Sequence, residues 1–296
     1  MRRRAFAYRR RASPLHATRA AAGGAYCAAL AGAALIVTHP LVLGALLIAV
    51  LGAGGAAGVG TQMRRTLLVS APALLVLTVA VNLLVDRHGL TVFARLGTLG
   101  ALGRVDLTVE ALVAGLITAA RLVVVLLAGA LFTSAVDPDE WLALLRRVSF
   151  QSALIATVAT RLVPVLGEDA ARLAEAQRCR PEGPAGGSRL KVLRAVVGGA
   201  LDRSLDVAAA LEVRGYGLPA GRRSPRPRRP LSRHDLAFVV AALGMLGLAV
   251  LAASGVAHFD PYPLTRGGWG RAPVLLSLAM PAVALGPFAD RRGIVP

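Results

Sequence analysis

Acidic residues are scarce in this sequence, 16 against 34 basic ones, and the formal net charge is +18 over 296 residues. Aromatics make up only 4% of the chain, and cysteine occurs twice. Each shortage excludes something. Cys27 lies in an apolar run and Cys179, far away, in a charged segment, which argues against a disulfide framework. Two thiols without several nearby histidines do not build a zinc site either. The five histidines, at 16, 39, 88, 234 and 258, are scattered, and no His-Glu-x-x-His pattern occurs. No Gly-x4-Gly-Lys-Ser/Thr stretch exists, and Lys191, the sole lysine, follows Ser188-Arg189-Leu190. The chain therefore does not cradle a nucleotide in that way, and energy for any driven process has to come from a partner. Gly215-Tyr216-Gly217 follows a helical pattern rather than a strand, so it is not a dinucleotide fingerprint. The expected cofactor set is empty.

What is abundant is apolar length. Hydrophobic residues form 55% of the chain, with a mean hydropathy of +0.62, which places it among membrane proteins before any motif is read. Six segments are long enough to cross a bilayer: 20–38, 41–60, 67–85, 108–134, 236–255 and 272–288. His39-Pro40 breaks the first from the second, because proline removes a helix donor and restricts its predecessor. The N-terminal arginines resemble a signal n-region, but no clear cleavage site follows, and the first apolar segment reads as a retained helix. The fold class expected is all-α, a polytopic membrane protein with about six transmembrane helices plus cytoplasmic amphipathic helices.

The positive charge fits nucleic acid or bilayer topology, and arginine placement decides. Segment 1–19 holds seven arginines, and 135–235 holds sixteen plus Lys191. The alternate loops hold only Arg87, Arg95, Arg104, Arg266 and Arg271. The positive-inside rule then puts both termini and the 135–235 segment on the cytoplasmic side, with no need for nucleic acid. Three regions follow: an N-terminal transmembrane region 1–134 with four spans, a cytoplasmic region 135–235, and a C-terminal transmembrane region 236–296 with two spans.

Within the spans, Ala31-Gly32-Ala33-Ala34 and the run 51–58 are rich in small residues, suited either to tight internal packing or to a surface on which a second membrane protein slides. Arg121 lies near the middle of the fourth span, where a charge is costly unless paired or hydrated. It reads as an internal ion pair or polar anchor, or else, with Glu110, as part of a substrate path.

The cytoplasmic insert opens with Asp137-Pro138-Asp139-Glu140. Asp137 suits an N-cap, Pro138 the first helical position and Glu140 the reciprocal capping-box site. Trp141, Leu142, Leu145 and Val148 then form an apolar stripe, closed by Arg146-Arg147. A second helix is expected over 152–180, kinked or broken at Pro164, with Glu168 and Arg172 paired at i,i+4. A third runs over 189–214, its apolar stripe being Leu190, Leu193, Val197, Leu201, Leu205, Ala208 and Leu211. Gly215 is a natural C′ residue. Asp202 and Asp206 sit at i,i+4 beside Arg203 and read as a solvated or salt-bridged face rather than a catalytic acid pair. The run 222–230 is a stiff basic linker suited to anionic lipid.

Two amphipathic helices thus each end in an arginine and a breaker. Cations are favoured at any helix C-terminus, and a guanidinium fork there also suits carboxylates or carbonyls of a partner. The segments Glu175-Ala176-Gln177-Arg178-Cys179-Arg180-Pro181 and Ala210-Leu211-Glu212-Val213-Arg214-Gly215-Tyr216-Gly217 resemble the paired Ala-Arg-Gly motifs of energy-coupling factor T components, the CbiQ/EcfT family. So do Arg161-Leu162-Val163-Pro164-Val165-Leu166, Gly199-Ala200-Leu201-Asp202-Arg203-Ser204 and Val136-Asp137-Pro138-Asp139-Glu140. The resemblance runs through about 105–217. It implies a non-catalytic subunit whose two coupling helices dock into grooves on two ABC-type ATPases. It also implies a small membrane substrate-binding partner, the S component, whose reorientation delivers a vitamin or metal ion. The docking arginines would be Arg180 and Arg214, flanked by Cys179 with Pro181 and by Val213 with Gly215. Cys179 and Pro181 depart from the family's alanine and glycine, and Val213 from its alanine.

Two other classes compete. A membrane-embedded enzyme would need acids or histidines clustered near one interface, and the sequence offers none. A conventional permease with its own substrate path has only Arg121 and Glu110 in its support.

Overall fold

In a computed structural model of the chain, the residues described are 11–85, 91–98, 104–145, 150–179, 188–215, 232–257, 259–260, 266–267 and 270–290. The helices are α1 (Pro14–Ala17), α2 (Ala20–Ile36), α3 (Pro40–Ala56), α4 (Gly60–Val85), α5 (Val109–Ala135), α6 (Pro138–Leu145), α7 (Phe150–Arg178), α8 (Ser188–Val213), α9 (Arg233–Leu251) and α10 (Arg271–Leu285). Helix α9 runs on through a π turn at Ala252–Val256, and α10 through a 3-10 turn at Gly286–Phe288.

Four of these, α4, α5, α9 and α10 with their extensions, are long and apolar enough to cross a membrane. Helices α2 and α3 are also apolar but have 17 residues each, which at 1.5 Å per residue is about 25 Å. The protein is a multi-pass helical membrane protein, as the apolar pattern predicts. Two details differ from the sequence reading. Helix α4 starts at Gly60 rather than 67, because Thr61, Gln62 and the Arg64-Arg65 pair continue the helix beyond its apolar part. The loop between α4 and α5 carries an antiparallel hairpin, β1 (Val92–Thr98) with β2 (Arg104–Thr108). A second, two-residue pairing joins β3 (Phe259–Asp260) to β4 (Arg266–Gly267).

The chain divides into two compact units, one of Met1–Trp141 with Leu231–Pro296, the other of Leu142–Pro230. In the first, α2 packs on α5 and α9, and α3 packs on α10 and α5. Most small residues of α2 and α3 turn into this core, among them Ala29, Ala33, Ala34, Ala49 and Ala53. Ala21, Ala25, Ala28 and Gly44 lie on the outside. Close approach is also built into the α4 and α5 pair, where a Cβ on Gly115 would sit 3.0 Å from the Val79 Cα. The few aromatics are concentrated. Tyr26, Phe238 and Phe288 meet edge to face at centroid separations of 5.1–6.2 Å, and the Tyr26 hydroxyl donates to the Ala284 carbonyl at 2.8 Å. That cluster fastens α2 to the C-terminal helices.

The charged residues of α5 are structural partners. Glu110 is buried in its first turn and accepts from the Thr91 amide at 3.2 Å and from the Thr91 hydroxyl, tying the hairpin to the helix start. The Arg121 Nη2 donates at 3.1 Å to the carbonyl of Val37, the C-cap of α2. Arg121 is thus a polar anchor on the break between α2 and α3.

Replacing Arg121 by leucine leaves the Val37 carbonyl without this donor. Stability should fall by about 1–3 kcal/mol, the cost of an orphaned buried polar group. Thermal unfolding in detergent should show a lower midpoint for Arg121→Leu than for Arg121→Lys, which retains a donor.

Candidate docking site

In the second unit α7 and α8 pack against each other. Helix α7 runs unbroken through Pro164. Asp169 is the residue that binds the pair: it accepts from Arg203 on α8 at 3.0 Å and from Arg172 one turn along α7. Arg203 first, then Arg172, holds its carboxyl below the ordinary carboxylate value of 3.8. The sequence reading placed Arg172 with Glu168 instead. The i,i+3 partner wins because Asp169 lies on the side of α7 that meets Arg203, and one carboxylate serves both guanidiniums.

The packed face of α8 also differs from expectation. Half-buried positions are Val192, Val196, Ala200, Arg203, Val207 and Leu211. The leucine row at Leu190, Leu193, Val197, Leu201 and Leu205 is exposed. Smaller side chains let the two helix backbones approach, and that row is the one that carries Arg203 to Asp169. Asp202 and Asp206 are exposed.

Both helices end at accessible positions. At the end of α7, the Cys179 amide donates to the Glu175 carbonyl at 3.2 Å, and its side chain is exposed and free. Arg180 and Pro181 lie outside the described residues, as do Arg146, Arg147 and Val148 after α6. At the end of α8, Val213 is 90% exposed and Arg214 is exposed. The Arg214 amide donates to Ala210 at 3.3 Å and the Gly215 amide to Glu212 at 2.8 Å. Gly215 has φ 74°, the left-handed conformation that a side chain disfavours and that terminates a helix. The arginine is thereby presented at a helix C-terminus beside the last carbonyls, where its charge is favoured. No group of three or more metal-ligating side chains occurs among the described residues.

Sequence reasoning missed the pairing of Asp169 with Arg203, 34 residues apart. The only signal was the lone arginine between Asp202 and Asp206 on α8. It also missed a contact between helices, in which the Glu140 Oε2 accepts from the Ala20 amide at 3.2 Å. A carboxylate within reach of another helix's uncapped first turn is drawn there by the helix dipole.

A largely helical, multi-pass membrane unit and a second unit of paired amphipathic helices define the chain as a helical membrane protein. Residues 13–225 match the family model CbiQ, described as cobalt transport protein, and the chain belongs to that family. A search of curated proteins finds no match to the chain.

Reversing Arg203 to glutamate sets two carboxylates against each other at Asp169. Amide hydrogen exchange along α7 and α8 should then quicken several-fold, and the double exchange Asp169→Arg with Arg203→Asp should restore protection.

Proposed function

We propose that this chain is the transmembrane coupling subunit of an energy-coupling factor importer in a bacterial inner membrane. It works with two ABC-type ATPases and a small membrane substrate-binding S component. Hydrolysis takes place on the ATPases, and this chain passes the resulting movement to the S component, which carries a vitamin or a cobalt- or nickel-type metal ion. The lipid bilayer is its other partner, nucleic acid is not one, and both termini face the cytoplasm, as the arginine placement requires.

The observation that carries this reading is the pair of helix ends. Two long helices of the same unit each finish at an exposed terminus, one at Cys179 and one at Val213 and Arg214, in a chain of a transport family. The ATPase-docking set is Arg180 with Cys179 and Pro181, and Arg214 with Val213 and Gly215. A guanidinium at a helix terminus makes charge-assisted, bidentate bonds to carboxylates or carbonyls in a groove. The chain has no phosphate-binding loop of its own, in keeping with hydrolysis on a partner.

Co-purification with co-expressed ATPases tests it. Arg180→Glu with Arg214→Glu should weaken the complex more than about 30-fold, the scale of losing a desolvated interfacial charge pair. Radiolabelled cobalt(II) serves as the uptake probe. A double variant that keeps the complex intact removes the docking assignment.

A further inference from the structure

Helix α4 stands apart from the other long apolar helices. None of its most apolar stretch is buried, against a third or more in α5, α9 and α10. The helix is nonetheless two-sided. Met63, Leu67, Ala71 and Leu74 recur at helical spacing and pack into the core of the membrane unit. The other side begins with Arg64 and Arg65 and continues through Leu68, Val69, Leu75 and Val76, all six exposed. Each arginine heads its own row at i, i+4 and i+11, so the six share one face of the helix.

The charge at the head of that face is not balanced from within. Other arginines of the membrane unit have partners inside it. Arg19 lies 3.5 Å from Asp235, Arg233 lies 3.7 Å from Asp290, and Arg11 donates to the Gly58 carbonyl in the turn before α4. Arg64 and Arg65 have no such partner among the described residues. Two adjacent cations repel, and the anion that relieves them has to come from outside the chain. Charge bias sets topology from anywhere in a loop, whereas these two arginines stand in register with the apolar rows below them.

What lies below them decides the kind of anion. From Arg65 to Val76 the face runs about 16 Å, close to the depth of hydrocarbon in one leaflet, about 15 Å. One turn further on, Val79 is taken up by α5, where a Cβ on Gly115 would sit 3.0 Å from the Val79 Cα. The open face is lined by leucine and valine. Close helix contacts in a bilayer favour small residues, as α4 and α5 themselves use at Gly115. A charged end followed by a leaflet's depth of bulky apolar side chains has the order of a phospholipid, headgroup and then acyl chain.

We propose that the outer face of α4 binds an anionic phospholipid, its phosphate held by Arg64 and Arg65 and its acyl chains lying along Leu68, Val69, Leu75 and Val76. Guanidinium groups bind phosphate through charge-assisted, forked hydrogen bonds. The proposal rests on the multi-pass membrane architecture and is independent of the coupling role.

The experiment uses the full chain with Cys179→Ser, which removes the exposed thiol and leaves Cys27 buried. Leu68→Cys then carries a bimane fluorophore. The protein is reconstituted in phosphatidylcholine vesicles in which an equal share of lipid is brominated phosphatidylglycerol or brominated phosphatidylcholine. Brominated chains quench a fluorophore that they touch. The brominated phosphatidylglycerol should quench as though enriched by about 5-fold at the label, the effect of a single surface arginine on anionic lipid. Arg64→Gln with Arg65→Gln should abolish that preference, and Arg64→Lys with Arg65→Lys should keep most of it. The same label at Leu278, exposed on α10, should report no difference among these variants. Raising the salt concentration should erode the preference of the chain that keeps both arginines, a readout that needs no arginine variant. Equal quenching by the two lipids with both arginines present overturns the proposal, as does a preference that survives the two glutamines. Weak quenching by either lipid also overturns it, since a second copy or another protein would then cover the face.

Discussion

Helix α2 runs through the middle of the membrane unit and is about 25 Å long, shorter than a hydrocarbon core of about 30 Å. Its terminal amides and carbonyls cannot rely on water, and an unsatisfied backbone group in that setting costs several kcal/mol. Other helices supply the partners. Asp235 and Glu140 receive its first amides, and Arg121 donates to the carbonyl at its C-cap. Three charged residues that would each be costly alone are thus made useful by one short helix. The sequence keeps few acids, and two of them are placed here.

The same demand shapes the C-terminal part. Asp235 is at once the capping-box residue of its own helix, accepting from the Ser232 amide at 3.0 Å, and the anchor of Arg19. A carboxylate that accepts from several donors at once fixes the entry angle of α9. From there Phe238 reaches Tyr26, and Phe288 closes the ring cluster after α10 returns. Helices separated by more than 200 residues in the chain are held by one polar joint and one aromatic joint. Loops need contribute little to that geometry.

Much of this was legible in the sequence, and the rest was not, for a definable reason. Apolar length and breakers located the apolar helices, because those signals are local, although α4 starts well before its apolar part and only four of the six are long enough to cross a membrane. Gly215 as the end of α8 was legible for the same reason. The partners of Glu140, Arg172 and Arg203 were not, since local rules assign each charge to its nearest neighbour on the same helix. Tertiary contacts brought Glu140 to Ala20 and Arg203 across to Asp169 on α7, and Arg172 joined the same carboxylate one turn along its own helix. The α8 stripe failed in a similar way. Periodicity found its leucines correctly, but the row that packs on α7 is the smaller one, and hydrophobicity alone does not say which apolar face meets which neighbour.

The two units are held together by different kinds of contact. In the membrane unit, helix ends meet in partly buried polar joints backed by ring packing. In the other unit, α7 and α8 share a row of valine and alanine contacts and an interhelical ion pair whose arginine is half-buried. Solvent screening limits what such a pair contributes. Small apolar contacts and a solvated ion pair separate at lower cost than a buried ring cluster backed by hydrogen bonds to helix ends. Within its own unit, the α7 and α8 pair is therefore the more adaptable of the two assemblies.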